Sequence, residues 1–146
     1  MRRVLLLAAA AAGLLLGSCL AVVDPPAEAY TLGVTVSGDA GTGVSVTVTD
    51  ETAGAVLTSS GPVTSLPSTT QHAGLFTAGT PSIVSVQVDA TGVPAAGSLL
   101  ITVTIADESY DPPVTLTLDE YTLINGASAA ADLRYLELFV LSPPPQ

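Results

Sequence analysis

Valine and threonine alternate along most of this chain, and a strict period of two admits one regular backbone. It is the extended strand, whose successive side chains point to opposite faces. Leu32, Val34 and Val36 alternate with Thr31, Thr35 and Ser37, and Val44, Val46 and Val48 alternate with Ser45, Thr47 and Thr49. The pattern returns at Val84, Val86 and Val88, then at Leu99, Ile101, Val103 and Ile105, and again at Val114, Leu116 and Leu118. Branching at Cβ restricts these side chains in a helix and suits them to a pleated surface. Turn-forming residues separate the runs, at Gly38 to Gly43, Gly61-Pro62, Gly79 to Pro81, Gly92 to Gly97 and Asp107 to Pro113.

A strand with one apolar face must have that face covered, and two sheets packed face to face achieve this. The connections are too short to hold crossover helices, so neighbouring strands must run antiparallel. The expected fold class is therefore all-β: an antiparallel two-sheet β-sandwich, immunoglobulin-like or transthyretin-like, with about seven or eight strands. The spacing predicts strands near 30–37, 43–50, 55–59, 74–78, 82–89, 98–106, 113–123 and 133–141. In the last segment two patterns compete. Ser128 can cap a helix over Ala129 to Leu138, while Leu136, Leu138 and Val140 suit a strand. A helical turn at 127–132 followed by a strand is the expectation.

Composition narrows the functional classes. The chain of 146 residues has a formal net charge of −10. Beyond residue 18 there is no lysine, and Arg134 alone faces thirteen carboxylates, which leaves −12. Such a surface repels phosphate backbones, so no nucleic-acid partner is expected. Without lysine there is neither a Schiff base nor a phosphate-binding loop. A single cysteine, Cys19, cannot form an intramolecular disulfide.

Met1-Arg2-Arg3, the apolar run Val4 to Leu16, and Leu16-Gly17-Ser18-Cys19 together resemble the signal and lipobox of bacterial lipoproteins. The resemblance implies a signal peptide at 1–18 that is removed before Cys19, and a diacylglycerol on the Cys19 sulfur. The membrane is then a partner through that lipid, with residues 19–29 as a short tether. Leu20, where an aspartate would signal inner-membrane retention, implies the outer membrane if the host is Gram-negative, with the protein facing the periplasm or cell surface. Two other readings stay open: Val4 to Val23 is long enough for an uncleaved anchor, and Ala27-Glu28-Ala29 has the form of an ordinary secretory cleavage site.

A second likeness lies within the domain expected at 30–141. Gly43 to Asp50, then Thr69-Thr70-Gln71-His72-Ala73-Gly74-Leu75-Phe76, Gly79 and the run Val84 to Val88 resemble carboxypeptidase-regulatory-like and Cna-B-type modules. The likeness spans residues 30–89, and Ala78-Gly79-Thr80-Pro81 replaces the Leu-x-x-Gly-x-Tyr ending of that family. It implies turn geometry at Gly43 and Gly74, Phe76 in the core, and a non-catalytic binding or structural module.

Candidate site residues are few. His72, the one histidine, falls in a turn-like segment and reads as a surface histidine in a loop. No Gly-x-Ser-x-Gly elbow accompanies it, and no enzyme is expected. No cofactor is expected either. Asp107, Glu108 and Asp111 are the weak candidates for a hard cation such as Ca²⁺, but a solvated acidic turn is the preferred reading. Asp119-Glu120 should lie at the far end of the same hairpin, and Arg134 should pair with a carboxylate or cover apolar surface. The Pro-rich tail, 142–146, should be extended coil. A non-catalytic, lipid-anchored module with an envelope or extracellular protein partner is the expected function. A carrier of a small ligand or divalent metal, at a loop or between the sheets, is the alternative.

Overall fold

A computed structural model describes residues 28–76 and 79–142. Cys19, the signal peptide expected at 1–18, most of the expected tether and the last four residues lie outside that range. The described residues form eight strands and no helix: β1 (Ala29–Gly38), β2 (Gly43–Asp50), β3 (Ala55–Val63), β4 (Ser68–Leu75), β5 (Ser82–Val93), β6 (Ser98–Asp107), β7 (Val114–Ile124) and β8 (Ala131–Leu141). They make two four-stranded sheets, ordered β4-β1-β6-β7 and β3-β2-β5-β8, and every pairing is antiparallel. This is the two-sheet β-sandwich expected from the alternation.

The strands with the cleanest alternation occupy the centre of each sheet. From β1 and β6 the core receives Leu32, Val34, Val36, Leu99, Ile101 and Val103, and from β2 and β5 it receives Val44, Val46, Val48, Val84, Val86 and Val88. All are almost fully buried. Their interleaved threonines and serines line the outer faces, where Thr35 and Thr69 share a 2.9 Å hydrogen bond across β1 and β4. Covering both sheets at once is what makes the period-two pattern stable, because each strand alone leaves its valines in water.

Four expectations need correction. The strand expected at 74–78 lies instead at Ser68–Leu75, and His72 stands on this β4 and not in a loop. Ser-Thr-Thr-Gln-His has no apolar alternation, so nothing local announced a strand; pairing with β1 from Ala29↔Leu75 to Val36↔Ser68 imposes it. Gly74 accordingly sits within a strand and not in a turn. The Tyr30 ring lies against it so closely that an added Cβ would come within 2.5 Å of that ring. Third, β3 runs on through Gly61-Pro62, which reads as a breaker, because an edge strand tolerates proline on its solvent side. Fourth, no helical turn forms at 127–132: residues 127–129 bend, and β8 begins at Ala131 opposite Val93.

Candidate functional site

The acidic turn between β6 and β7 follows directly from its sequence. Asp107 ends β6 and folds its carboxylate back on its own turn, where Oδ1 accepts from Ser109 N at 2.9 Å and Ser109 Oγ at 2.5 Å. Glu108 N donates to Ala29 O at 2.9 Å, which ties the turn to the start of β1. Glu108, Tyr110 and Asp111 are exposed. The described residues contain no group of three or more histidine, cysteine, aspartate or glutamate side chains placed to hold a metal ion. Asp107 satisfies a local turn, as aspartate does after a strand.

Asp119 and Glu120 lie halfway along β7, opposite Val103 and Thr102, and not at the far end of the hairpin. A register shift next to Asp119 turns its side chain toward the opposite sheet. There it meets the phenol of Tyr135 on β8, which donates to Asp119 Oδ2 at 2.6 Å. Tyr121 packs beside this pair, its ring centroid 5.7 Å from that of Tyr135. The result is a polar strut joining the two sheets at their β7–β8 side. Burial first, then the Asp119 hydrogen bond and the charges of Asp119 and Glu137, push the Tyr135 phenol well above its ordinary range. Tyr135 is a neutral donor here.

At the start of β1, within one sheet, Tyr30 packs its ring against Phe76 at 4.6 Å and stands edge-to-face with His72 at 6.3 Å. Burial, with the charge of Asp50, also pushes the Tyr30 phenol up. His72 is half-buried on β4, directly opposite Leu32.

Arg134 does find its carboxylate. Its Nε donates to Asp89 Oδ1 at 2.6 Å, across the β5–β8 pairing. Partial burial alone would raise the Asp89 carboxyl. Hydrogen bonds from Gln87 and Arg134 and the guanidinium charge outweigh it, and hold the group below the usual carboxylate range. A surface depression of about 520 Å³ lies beside the pair, lined by Asp89, Ala90, Thr91, Asp132, Leu133 and Arg134. Asp132 Oδ1 already accepts from Gly92 N at 2.8 Å, so both carboxylates in the depression are engaged.

Asn125 is the polar residue that sequence reasoning missed. It is buried, and its amide nitrogen lies 2.8 Å from Val93 O, 3.0 Å from Pro94 O and 2.9 Å from Ala129 O. Its side-chain oxygen accepts from Ala127 N at 2.9 Å, and its backbone exchanges hydrogen bonds with Gly97 and Ala96. One side chain thus closes the β5–β6 turn and the β7–β8 connection together. The Asn125-Gly126 dipeptide signals a turn, but its long-range partners cannot be read from it. This loop takes the place of the expected helical turn.

Comparison with known families, with curated proteins and with solved structures finds no match to this chain. Among the described residues no helix is long and apolar enough to cross a membrane. What is defined is the class: an all-β protein whose two antiparallel four-stranded sheets form a sandwich.

Proposed function

We propose that this protein is a non-catalytic lipoprotein of the bacterial envelope, anchored by a diacylglycerol on Cys19 and working as a binding or structural β-sandwich module. The reading rests on one observation, the Leu16-Gly17-Ser18-Cys19 sequence at the end of an apolar run that follows two arginines. Two or three acyl chains hold a protein at a membrane almost permanently, since each buried CH₂ contributes about 0.8 kcal/mol. The polar side chains of the domain favour a structural role, because the conspicuous ones are engaged with one another: Asp107 with Ser109, Asp119 with Tyr135, Asp89 with Arg134, Asn125 with four backbone groups. A small-ligand carrier would use the depression beside Arg134, whose carboxylates are already taken.

Metabolic labelling with palmitate tests the anchor. The parent chain should take up label and mature to a shorter form, while Cys19→Ala should persist as a larger, unlabelled precursor. Normal processing of that variant would remove the lipoprotein reading.

A further inference from the structure

A sandwich of two open sheets has four edge strands, and each edge offers a row of free backbone donors and acceptors. Three of them carry protective features. β3 has two register shifts and Pro62. β4 is short and mostly polar. β7 follows Pro112-Pro113, has a register shift, and carries Asp119-Glu120 in its middle. On β8 the one register shift falls at its start, between Ala131 and Leu133, and Glu137 is the one carboxylate in its middle. The strand's pairing with β5 is regular from Leu133 to Leu141, and it contains no glycine, proline or lysine.

β8 also breaks the alternation that governs the rest of the sandwich. Its inward residues are apolar except Glu137, with Tyr135 and Leu141 buried. Its outward residues should then be threonines or serines, yet they are Leu136, Leu138 and Val140, which stand 58, 59 and 66% exposed. Ile83 on β5, opposite Val140, extends the stripe. Charge is almost absent here: between Leu133 and Leu141 only Arg134 and Glu137 are charged, and they cancel. On a chain of strong negative charge, the segment of β8 beyond Asp132 is therefore locally neutral. A basic partner would find nothing here to read, whereas a second copy of the chain meets little repulsion, because carboxylates farther than about 8 Å are screened at physiological salt.

We propose that β8 is a self-association edge, on which two copies of the chain pair antiparallel about a two-fold axis at Leu138. With that axis normal to the sheet, outward residues meet outward residues. Leu138 faces Leu138 of the second copy, and Leu136 faces Val140. Glu137 faces Phe139, so no like charges oppose one another. Pro143, which lacks an N–H, lies just beyond the paired segment. The union makes one continuous eight-stranded sheet and sets the two apolar stripes side by side, where cross-strand pairs shield one another laterally. An interface this small, under about 1,200 Å² in total, belongs with weak and transient complexes, and the expected dissociation constant is on the order of 10 µM. The proposal is independent of whether Cys19 is lipidated.

The test uses the full chain in mild detergent. Sedimentation between roughly 1 and 100 µM should show a monomer–dimer equilibrium. Leu138→Lys, at an exposed position, should keep the β-sheet circular dichroism spectrum and weaken the dimer at least about tenfold. Leu138→Cys should form a disulfide-linked dimer under mild oxidation, because opposed residues at the axis lie about 4.5–5.5 Å apart between Cα atoms. Val140→Cys should not exceed the parent's background, since four residues of offset separate the two positions by about 14 Å. Any bridging through Cys19 appears equally in the parent and both variants. A chain that stays monomeric throughout overturns the proposal. So does a dimer that survives Leu138→Lys, or one that bridges as readily through Val140→Cys.

Discussion

The centre of the sandwich and its β7–β8 side solve the problem of a two-faced strand differently. In the centre, β1, β2, β5 and β6 have one neighbour on each side and a second sheet beneath, and their valines are nearly inaccessible. At the β7–β8 side, Val114, Leu116, Tyr121, Leu136, Leu138 and Val140 are all exposed, although the residue types are as apolar as those in the core. Hydrophobic sequence does not by itself mean burial. A side chain becomes core only on the face that the opposite sheet covers, and Leu136, Leu138 and Val140 point away from that sheet. The Tyr135–Asp119 hydrogen bond, with Tyr121 beside it, holds the two sheets together where close-packed aliphatic contact gives out.

The largest contrast comes from a carboxylate placed in each region. Val46→Asp should abolish folding, because an unpaired carboxylate between the sheets costs more than the whole stability of a domain this size, about 5–15 kcal/mol. Leu136→Asp, an equally drastic change in residue type, should shift stability by about 0.5 kcal/mol or less. Urea titration of both variants checks the pair, and equal losses would mean the β7–β8 side is packed as tightly as the centre. Next in size, Asn125→Ala should cost about 1–3 kcal/mol, since it strands the buried carbonyl of Val93 and removes the donor shared by the part-buried carbonyls of Pro94 and Ala129. Thermal unfolding would show it as a drop of several degrees.

Smaller effects probe the strut. Tyr135→Phe should cost about 1 kcal/mol, because Asp119 is only half-buried and water replaces the lost donor. It should also change the response to base. Tyr135 and Tyr30 both have phenols raised above their ordinary value of 10.0 in the folded state. Their contribution is fully present below pH 10 and is lost as pH rises through the folded values, so wild type should weaken above about pH 10. Tyr135→Phe should weaken less over the same range, as followed by urea midpoints. Arg134→Ala should have the smallest effect, under about 1 kcal/mol, because the guanidinium is well exposed. Asp89 is depressed, so its contribution is present above about pH 4 and disappears as pH falls through the folded value. Removing Arg134 should flatten that acid limb.

Much of the fold was legible because alternation is a local signal. The six strands with apolar alternation or a long apolar stretch, β1, β2, β5, β6, β7 and β8, were expected close to where they stand. β4 was misplaced because Ser68 to His72 carry no such signal, and β3 was cut short at Gly61-Pro62, whose turn chemistry an edge strand overrides. The acidic turn was legible as a turn, since Asp107 organises its own neighbours. The Tyr135–Asp119 strut and the reach of Asn125 to Val93 were not, because they join residues 16 and 32 positions apart that no spacing rule connects.

Side-chain alternation along an extended backbone is a property of each segment alone, so an all-β chain, the two faces of its central strands and its acidity could be read without knowing any partner strand. Which strands became central and which became edges was decided by pairing between distant segments. The order β3-β2-β5-β8 leaves β8 with one neighbour and its outward leucines uncovered. Exposure depends on what lies across from a residue, and that neighbour is chosen only when the two sheets close on each other.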